Sequence, residues 1–142
     1  MVIEYNCRMG DPETEVVMPR LMNDIVEIFI AVHEHKLAAI EVSFDERACS
    51  TIVAVSGGYP GDYEKGFVIT GLNSSDDNEN TIIFHAGTKL VDDDVLTNGG
   101  RVLAVSSYGD TIVEAAERSK KVLENISFSG MYYRHDIGYE FK

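Results

Sequence analysis

Glu4, Asn6 and Arg8 alternate along a stretch, Val2-Ile3-Glu4-Tyr5-Asn6, whose pattern predicts a β-strand starting almost at the first residue. Side chains two apart on a strand leave the same face, so a carboxylate, an amide carbonyl and a guanidinium would stand in a row. Carboxylate and carbonyl oxygens are hard ligands of the kind Mg²⁺ takes while it also holds nucleotide phosphates. A cation beside such a site suits the stabilisation of charge on a transferring phosphoryl group. The same alternation also describes a solvated strand face, and the pattern alone leaves both readings open.

A second group of chemistry-bearing residues lies further along. Lys65, Lys89 and Arg101 each sit close to glycines, where a cation and open backbone amides could hold a ribose phosphate. Here too there is a plainer reading, in which the glycines make turns and the cations are solvated. Other residues carry less. His33 and His35, two apart on a predicted helix, point to different faces and make no metal pair. His85 at a strand end reads as structural, and Asp92-Asp93-Asp94 reads as a solvated hairpin turn lacking the spacing and glycine of a calcium loop.

The elements that must position these groups follow from periodicity. Asp11-Pro12-Glu13 predicts a helix start, with Asp11 as N-cap and Pro12 at the first helical position. The helical pattern then runs to about His35, with a kink or restart at Pro19. Short strands are expected at Ala39–Ser43, Cys49–Val55, Phe67–Ile69, Thr81–His85, Lys89–Val91 and Val102–Ser106. Gly57 to Gly61 reads as a turn of type II. Asp110 is expected to cap a second helix, and the aromatic end, Met131 to Phe141, to pack back onto the sheet. The pattern divides near residue 36 into a strand-helix appendage, 1–36, and an α+β unit, 37–142.

Composition limits the function. Twelve Lys and Arg stand against 24 Asp and Glu, a net charge of −12, which disfavours nucleic acid and anionic membrane surfaces as partners. Hydrophobic residues make up 44% of the chain, enough for a packed core. Cys7 and Cys49 have no metal or disulfide spacing, and neither a secretory signal nor a spanning segment is evident, so a cytoplasmic location is expected.

The run Val2 to Glu13, with its Arg8-x-Gly10-Asp11-Pro12-Glu13, resembles the motif that closes the ATP-grasp domain of phosphoribosylamine–glycine ligases. Met9 and Cys7 depart mildly from the usual residues at their positions. Later blocks resemble the same family in the same order: Ser56 to Gly61, Tyr63 to Gly66, Ile69 to Leu72, Phe84 to Lys89, Thr97 to Leu103 and Tyr133 to Tyr139. Together they span nearly the whole chain.

The resemblance implies the end of an ATP-grasp domain followed by a small C-terminal domain of short antiparallel strands with one packed helix, hybrid-motif-like. It implies Glu4 and Asn6 as ligands of Mg²⁺ (or Mn²⁺), with ATP as co-substrate and glycine and 5-phosphoribosylamine as substrates. Arg8 would stabilise phosphate charge in catalysis. Gly10, Asp11, Pro12 and Glu13, with Lys65, Lys89 and Arg101, would bind substrate, and backbone N–H groups at the helix start would be available to an anion. The nucleotide-grasping strands belong to an N-terminal portion of the same polypeptide. This chain by itself is therefore expected to be inactive and to bind Mg-ATP weakly. Another ATP-grasp ligase or carboxylase would share Glu-x-Asn-x-Arg without the later blocks, and a non-catalytic interaction module reusing the fold is the remaining alternative.

Overall fold

The computed structural model describes residues 1–3, 5, 7–73 and 79–141. Its centre is a three-stranded antiparallel sheet in the order β1 (Ala48–Val55), β5 (Arg101–Gly109), β2 (Thr81–His85). A second antiparallel pair joins β3 (Thr88–Val91) to β4 (Asp94–Thr97), with Asp92 at φ 53° in the turn. The expected strand Phe67–Ile69 is a short bridge onto β4, where Ile69 N–H donates to Val95 O and Thr97 N–H to Phe67 O.

Period-2 alternation gives the main sheet two different faces. On one face, Ile52, Leu103 and Val105 join Val102, Ile126 and Phe128 in the apolar core. Helix α3 (Ile112–Leu123) covers this side through Ala115, Ala116, Ser119 and Leu123, a stripe at helical spacing whose small residues let the helix approach closely. The Ser119 hydroxyl meets Ser107 Oγ at 2.9 Å, and Ser107 meets Thr81 Oγ1 at 2.9 Å, so the buried hydroxyls satisfy one another. Thr111, one residue past the expected Asp110, is the N-cap; its side chain accepts from Glu114 N–H, and the Glu114 carboxylate accepts from Asp110 N–H.

The opposite face carries Cys49, Thr51, Ser106 and Tyr108 and receives α1 (Thr14–Arg20). Pro19 has no N–H for the carbonyl of Glu15; the Ser106 hydroxyl supplies the missing donor at 2.7 Å. Tyr108 OH donates to Pro19 O, and the Arg47 guanidinium lies 4.3 Å over the Tyr108 ring.

Several expectations near the N-terminus are corrected. Val2, Ile3 and Tyr5 are exposed and belong to no strand; Glu4 and Asn6 lie outside the described residues. A strand needs a neighbour for its backbone groups, and no other described segment pairs with this one. Regular helix begins at Thr14, not Pro12, because the Glu13 carboxylate turns back onto Gly10 N–H at 2.9 Å while Asp11 reaches elsewhere. The long helix is two. Leu21 leaves helical geometry at ψ 118°, and Asp24 caps α2 (Ile25–His33) by accepting from Val26 N–H at 2.8 Å.

Ala39–Ser43 is not a strand. Leu37–Ala39 form a 3₁₀ turn, and the extended residues after it bond to Met22 and Asn23. The Gly57–Gly61 turn closes with Gly61 N–H on Gly58 O, which puts Tyr59 and Pro60 at its centre in place of Pro60 and Gly61. The aromatic tail packs as expected: Met131, Tyr133 and Ile137 lie against the core.

Candidate functional site

The N-terminal motif and the main sheet meet at the start of β5. The Asp11 carboxylate lies 3.1 Å from Nη2 of Arg101, the first residue of that strand. Both side chains are about half exposed, so the pair contributes little stability by itself but defines where the Gly-Asp-Pro-Glu segment sits. Beside it opens a cleft of about 400 Å³, bordered by Pro12, Tyr59, Arg101, Tyr132, Tyr133 and Arg134. Its floor is the edge strand β1, through Thr51, Val53 and Val55.

Each wall has a local cause. Tyr132 is fixed because the tail pairs with the end of β1: Val55 N–H donates to Tyr132 O at 2.8 Å, and Tyr132 N–H returns to Val55 O at 3.1 Å. That pairing carries Tyr133 inward, where burial raises its phenol pKa and keeps it neutral at ordinary pH, and Arg134 outward. Arg134 is gripped by Asp136 through Nε at 2.9 Å and Nη2 at 2.8 Å. This fork raises the guanidinium pKa further and lowers that of Asp136. The Tyr59 ring lies over Gly100, where a Cβ would fall 2.1 Å from the ring. Only glycine allows that ring to close the cleft, which accounts for one residue of the Asn-Gly-Gly-Arg block. The Thr51 hydroxyl on the floor and one carboxylate oxygen of Glu15 are buried without a hydrogen-bond partner among the described residues.

The charged side chains that line the cleft are cations, unlike those of the chain as a whole. Two guanidinium groups border it and no carboxylate is among its lining side chains, in a protein with twice as many acids as bases. A neighbouring hollow of about 370 Å³, on the other side of the Gly57–Tyr63 loop, has the reverse character, with Asp62 and Glu64 in its wall.

The remaining expected site residues fall apart in space. Arg8 is exposed, and among the described residues it donates to the adjacent Met9 carbonyl. Gly10 N–H is taken by the Glu13 carboxylate, and the α1 that follows is seven residues long. Lys65 extends over the Tyr63 ring at 5.8 Å. Lys89 stands on the β3–β4 hairpin opposite Leu96. The glycine amides near these lysines are not open to a phosphate: Gly66 N–H donates to Thr97 O and Gly87 N–H to Arg101 O. Of the expected cations, Arg101 alone lines the cleft.

Sequence reasoning singled out neither Arg134 nor Tyr59 as a site residue, and it reads Tyr132 as packing of the tail. The available signal was the Tyr-Arg-x-Asp spacing, which places an acid two residues past an arginine and pre-orients it. Among the described residues no group of three His, Cys, Asp or Glu side chains is placed to hold a metal. No helix among them is long and apolar enough to cross a membrane.

Residues 49–140 match the family described as phosphoribosylglycinamide synthetase, C domain. The chain is 48% identical over 138 residues to a phosphoribosylamine–glycine ligase of Vibrio cholerae, covering 97% of this chain and 32% of that relative. It is 46% identical to a bifunctional purine biosynthetic protein of Dictyostelium discoideum, covering 96% of this chain and 17% of the relative. The crystal structure of a phosphoribosylamine–glycine ligase from Thermotoga maritima superposes with a TM-score of 0.71 at 33% identity, over 95% of this chain and 32% of that one. The chain thus spans about a third of the length of the ligases it matches. With residues 49–140 matched, this chain belongs to the phosphoribosylglycinamide synthetase C-domain family.

Proposed function

We propose that the chain is the C-terminal portion of an ATP-dependent ligase that joins glycine to 5-phosphoribosylamine in purine biosynthesis, giving glycinamide ribonucleotide, ADP and phosphate. The observation that carries this reading is the seating of the Gly-Asp-Pro-Glu segment on Arg101 at the rim of a locally basic cleft. Two blocks far apart in sequence, both resembling the same ligases, thereby form one wall. Residues 1–36 are taken as the end of an ATP-grasp domain and 37–142 as the C-terminal domain. A biosynthetic role of the kind named for the Dictyostelium relative is the support for a cytoplasmic location.

In this reading glycine's carboxylate is activated as a glycyl phosphate, and the amine of phosphoribosylamine displaces phosphate to form the amide. Such chemistry depends on positioning and charge neutralisation more than on covalent help from the protein. Glu4 and Asn6, on the resemblance, would hold Mg²⁺ (or Mn²⁺), which would neutralise charge on the ATP phosphates. Arg8, exposed and free of any carboxylate in the described residues, would serve the same phosphates once the rest of the nucleotide site surrounds it. Asp11 orients Arg101, and Arg101 takes the ribose phosphate; Lys65 and Lys89 would contribute only long-range field.

Glycine-dependent ADP release with ATP, Mg²⁺ and freshly prepared phosphoribosylamine tests this, on the chain and on a form extended to the relatives' full length. Activity confined to the extended form and abolished by Glu4→Gln is the expected result. In that form, Arg101→Ala should raise KM for phosphoribosylamine more than for ATP. ADP release that is independent of glycine, or absent from the extended form, would sink the reading and favour another ligase or a non-catalytic module.

A further inference from the structure

We propose that Arg134, oriented by Asp136, is a second phosphate-binding cation of the cleft, and that the cleft takes a pentose 5-phosphate with Tyr59 and Tyr132 beside the sugar; this deepens the ligase reading and rests on it. Three observations converge. First, the cleft concentrates positive charge: Arg101 and Arg134 border it, with no acid among the lining residues, although the chain carries −12 overall. Each guanidinium is ion-paired with an acid beside the cleft, Arg101 with Asp11 and Arg134 with Asp136, so a phosphate meets charge-assisted donors that are already held in place.

Second, Arg134 is pre-organised. Asp136 uses its Nε–H and one Nη2–H, which leaves the Nη1 hydrogens and the second Nη2 hydrogen as a free edge. Arg101 is bound to Asp11 through Nη2 only, so it too retains donors. Guanidinium groups whose rotamers are already fixed lose less entropy when they bind a phosphate, and their planar donor pairs match its oxygens. Both side chains remain roughly half exposed, so a ligand can reach them.

Third, the remaining wall suits a sugar and not a bare ion. Tyr59 and Tyr132 present an amphipathic surface beside the two guanidinium groups. About 400 Å³ falls at the lower end of the range for small-molecule pockets, room for a pentose monophosphate.

The test is a calorimetric titration of the chain with ribose 5-phosphate, ribose and adenosine 5′-monophosphate, on wild type, Arg134→Gln, Arg134→Lys and the distant control Arg118→Gln. Ribose 5-phosphate should bind and ribose should not. Arg134→Gln should weaken binding by roughly tenfold or more, as expected for a lost charge-assisted contact, with Arg134→Lys intermediate and Arg118→Gln unchanged. Equal affinity of wild type and Arg134→Gln, equal binding of ribose and its phosphate, or no binding at all would overturn the proposal. Stronger binding of the nucleotide would also overturn it, by assigning the cleft to a nucleotide phosphate. Failure here leaves glycine-dependent ADP release by the extended form intact as a separate result, so the two readings fall independently. Thermal unfolding of each variant confirms that a lost affinity is not a lost fold.

Discussion

The two ends of this molecule bury themselves very differently. From Cys49 onward the chain closes its own core, with Ile52, Val102, Leu103, Val105 and Leu123 almost wholly inaccessible. Before Cys49, Ala31 is the only buried residue among those described, while Val26, Phe29, Ile30 and Val32 of α2 lie largely in water. The α2 sequence is apolar nearly all round, which belongs to a helix covered on several sides. The C-terminal unit thus holds most of the buried apolar surface, while α1 and α2 are tied to the rest mainly through polar contacts: Ser106 and Tyr108 on α1, Arg20 with Asp45, Met22 and Asn23 with residues 41–43, and Asp11 with Arg101. An apolar segment left this open fits a chain that spans a third of its relatives.

That contrast can be broken most forcefully in the core. Leu103→Ala should cost about 2–5 kcal/mol in chemical denaturation, the range for truncating a fully buried leucine. A loss under about 1 kcal/mol would mean that the unit is much looser than its burial implies. Next in size is Gly71→Ala. Gly71 has φ 84°, and an added Cβ would sit 1.9 Å from the Asn125 carbonyl oxygen, so the loop must move as well as adopt a left-handed residue. A cost of about 2 kcal/mol or more is expected from the same denaturation experiment.

The two helix caps sharpen the comparison. Thr111→Ala should lower global stability by about 1 kcal/mol, because α3 is part of the core. Asp24→Ala should fray α2 without moving the global midpoint, visible as faster amide exchange in residues 25–33 alone. A smaller effect still is expected of Phe29→Ser with Ile30→Ser: an unchanged midpoint, weaker binding of an apolar dye and less self-association. A marked fall in the midpoint would show that α2 is packed after all.

The smallest effect concerns pH. The Asp45 carboxyl is held at about 2, below its ordinary 3.8, first by its hydrogen bonds with the Arg47 side chain and backbone. Because the folded value is lower, this contribution is complete above about 3.8 and is lost as pH falls toward about 2. A carbon-detected NMR titration of Asp45 should place its midpoint near 2, and in Arg47→Gln it should return toward 3.8.

Much of the C-terminal unit was legible in the residues. Thr81–His85 reads as a strand because five residues of β-branched and aromatic character sit between turns, and its bounds match. Asp92 at the hairpin turn and the inward packing of Met131, Tyr133 and Ile137 were legible for similar local reasons. The N-terminal elements were not. Ala39–Ser43 has strand composition, yet its backbone partners are Met22 and Asn23, which no periodicity reveals. Arg134 was not singled out because only the fold brings it to the same cleft as Arg101, and a sequence lists neither faces nor distances.

By itself the sequence determined the acidity, the strand and helix periods of residues 48–128 and the blocks that mark the family, since these depend on residue type and short-range spacing. Tertiary structure alone decided that Asp11 meets Arg101 instead of capping a helix. It also decided that Gly66 and Gly87 give their amides to Thr97 and Arg101 carbonyls, and that Arg101 and Arg134 border one cleft while Lys65 and Lys89 stand elsewhere. Those outcomes depend on which distant backbone and side-chain groups compete for the same partner, and that competition exists only once the chain has folded.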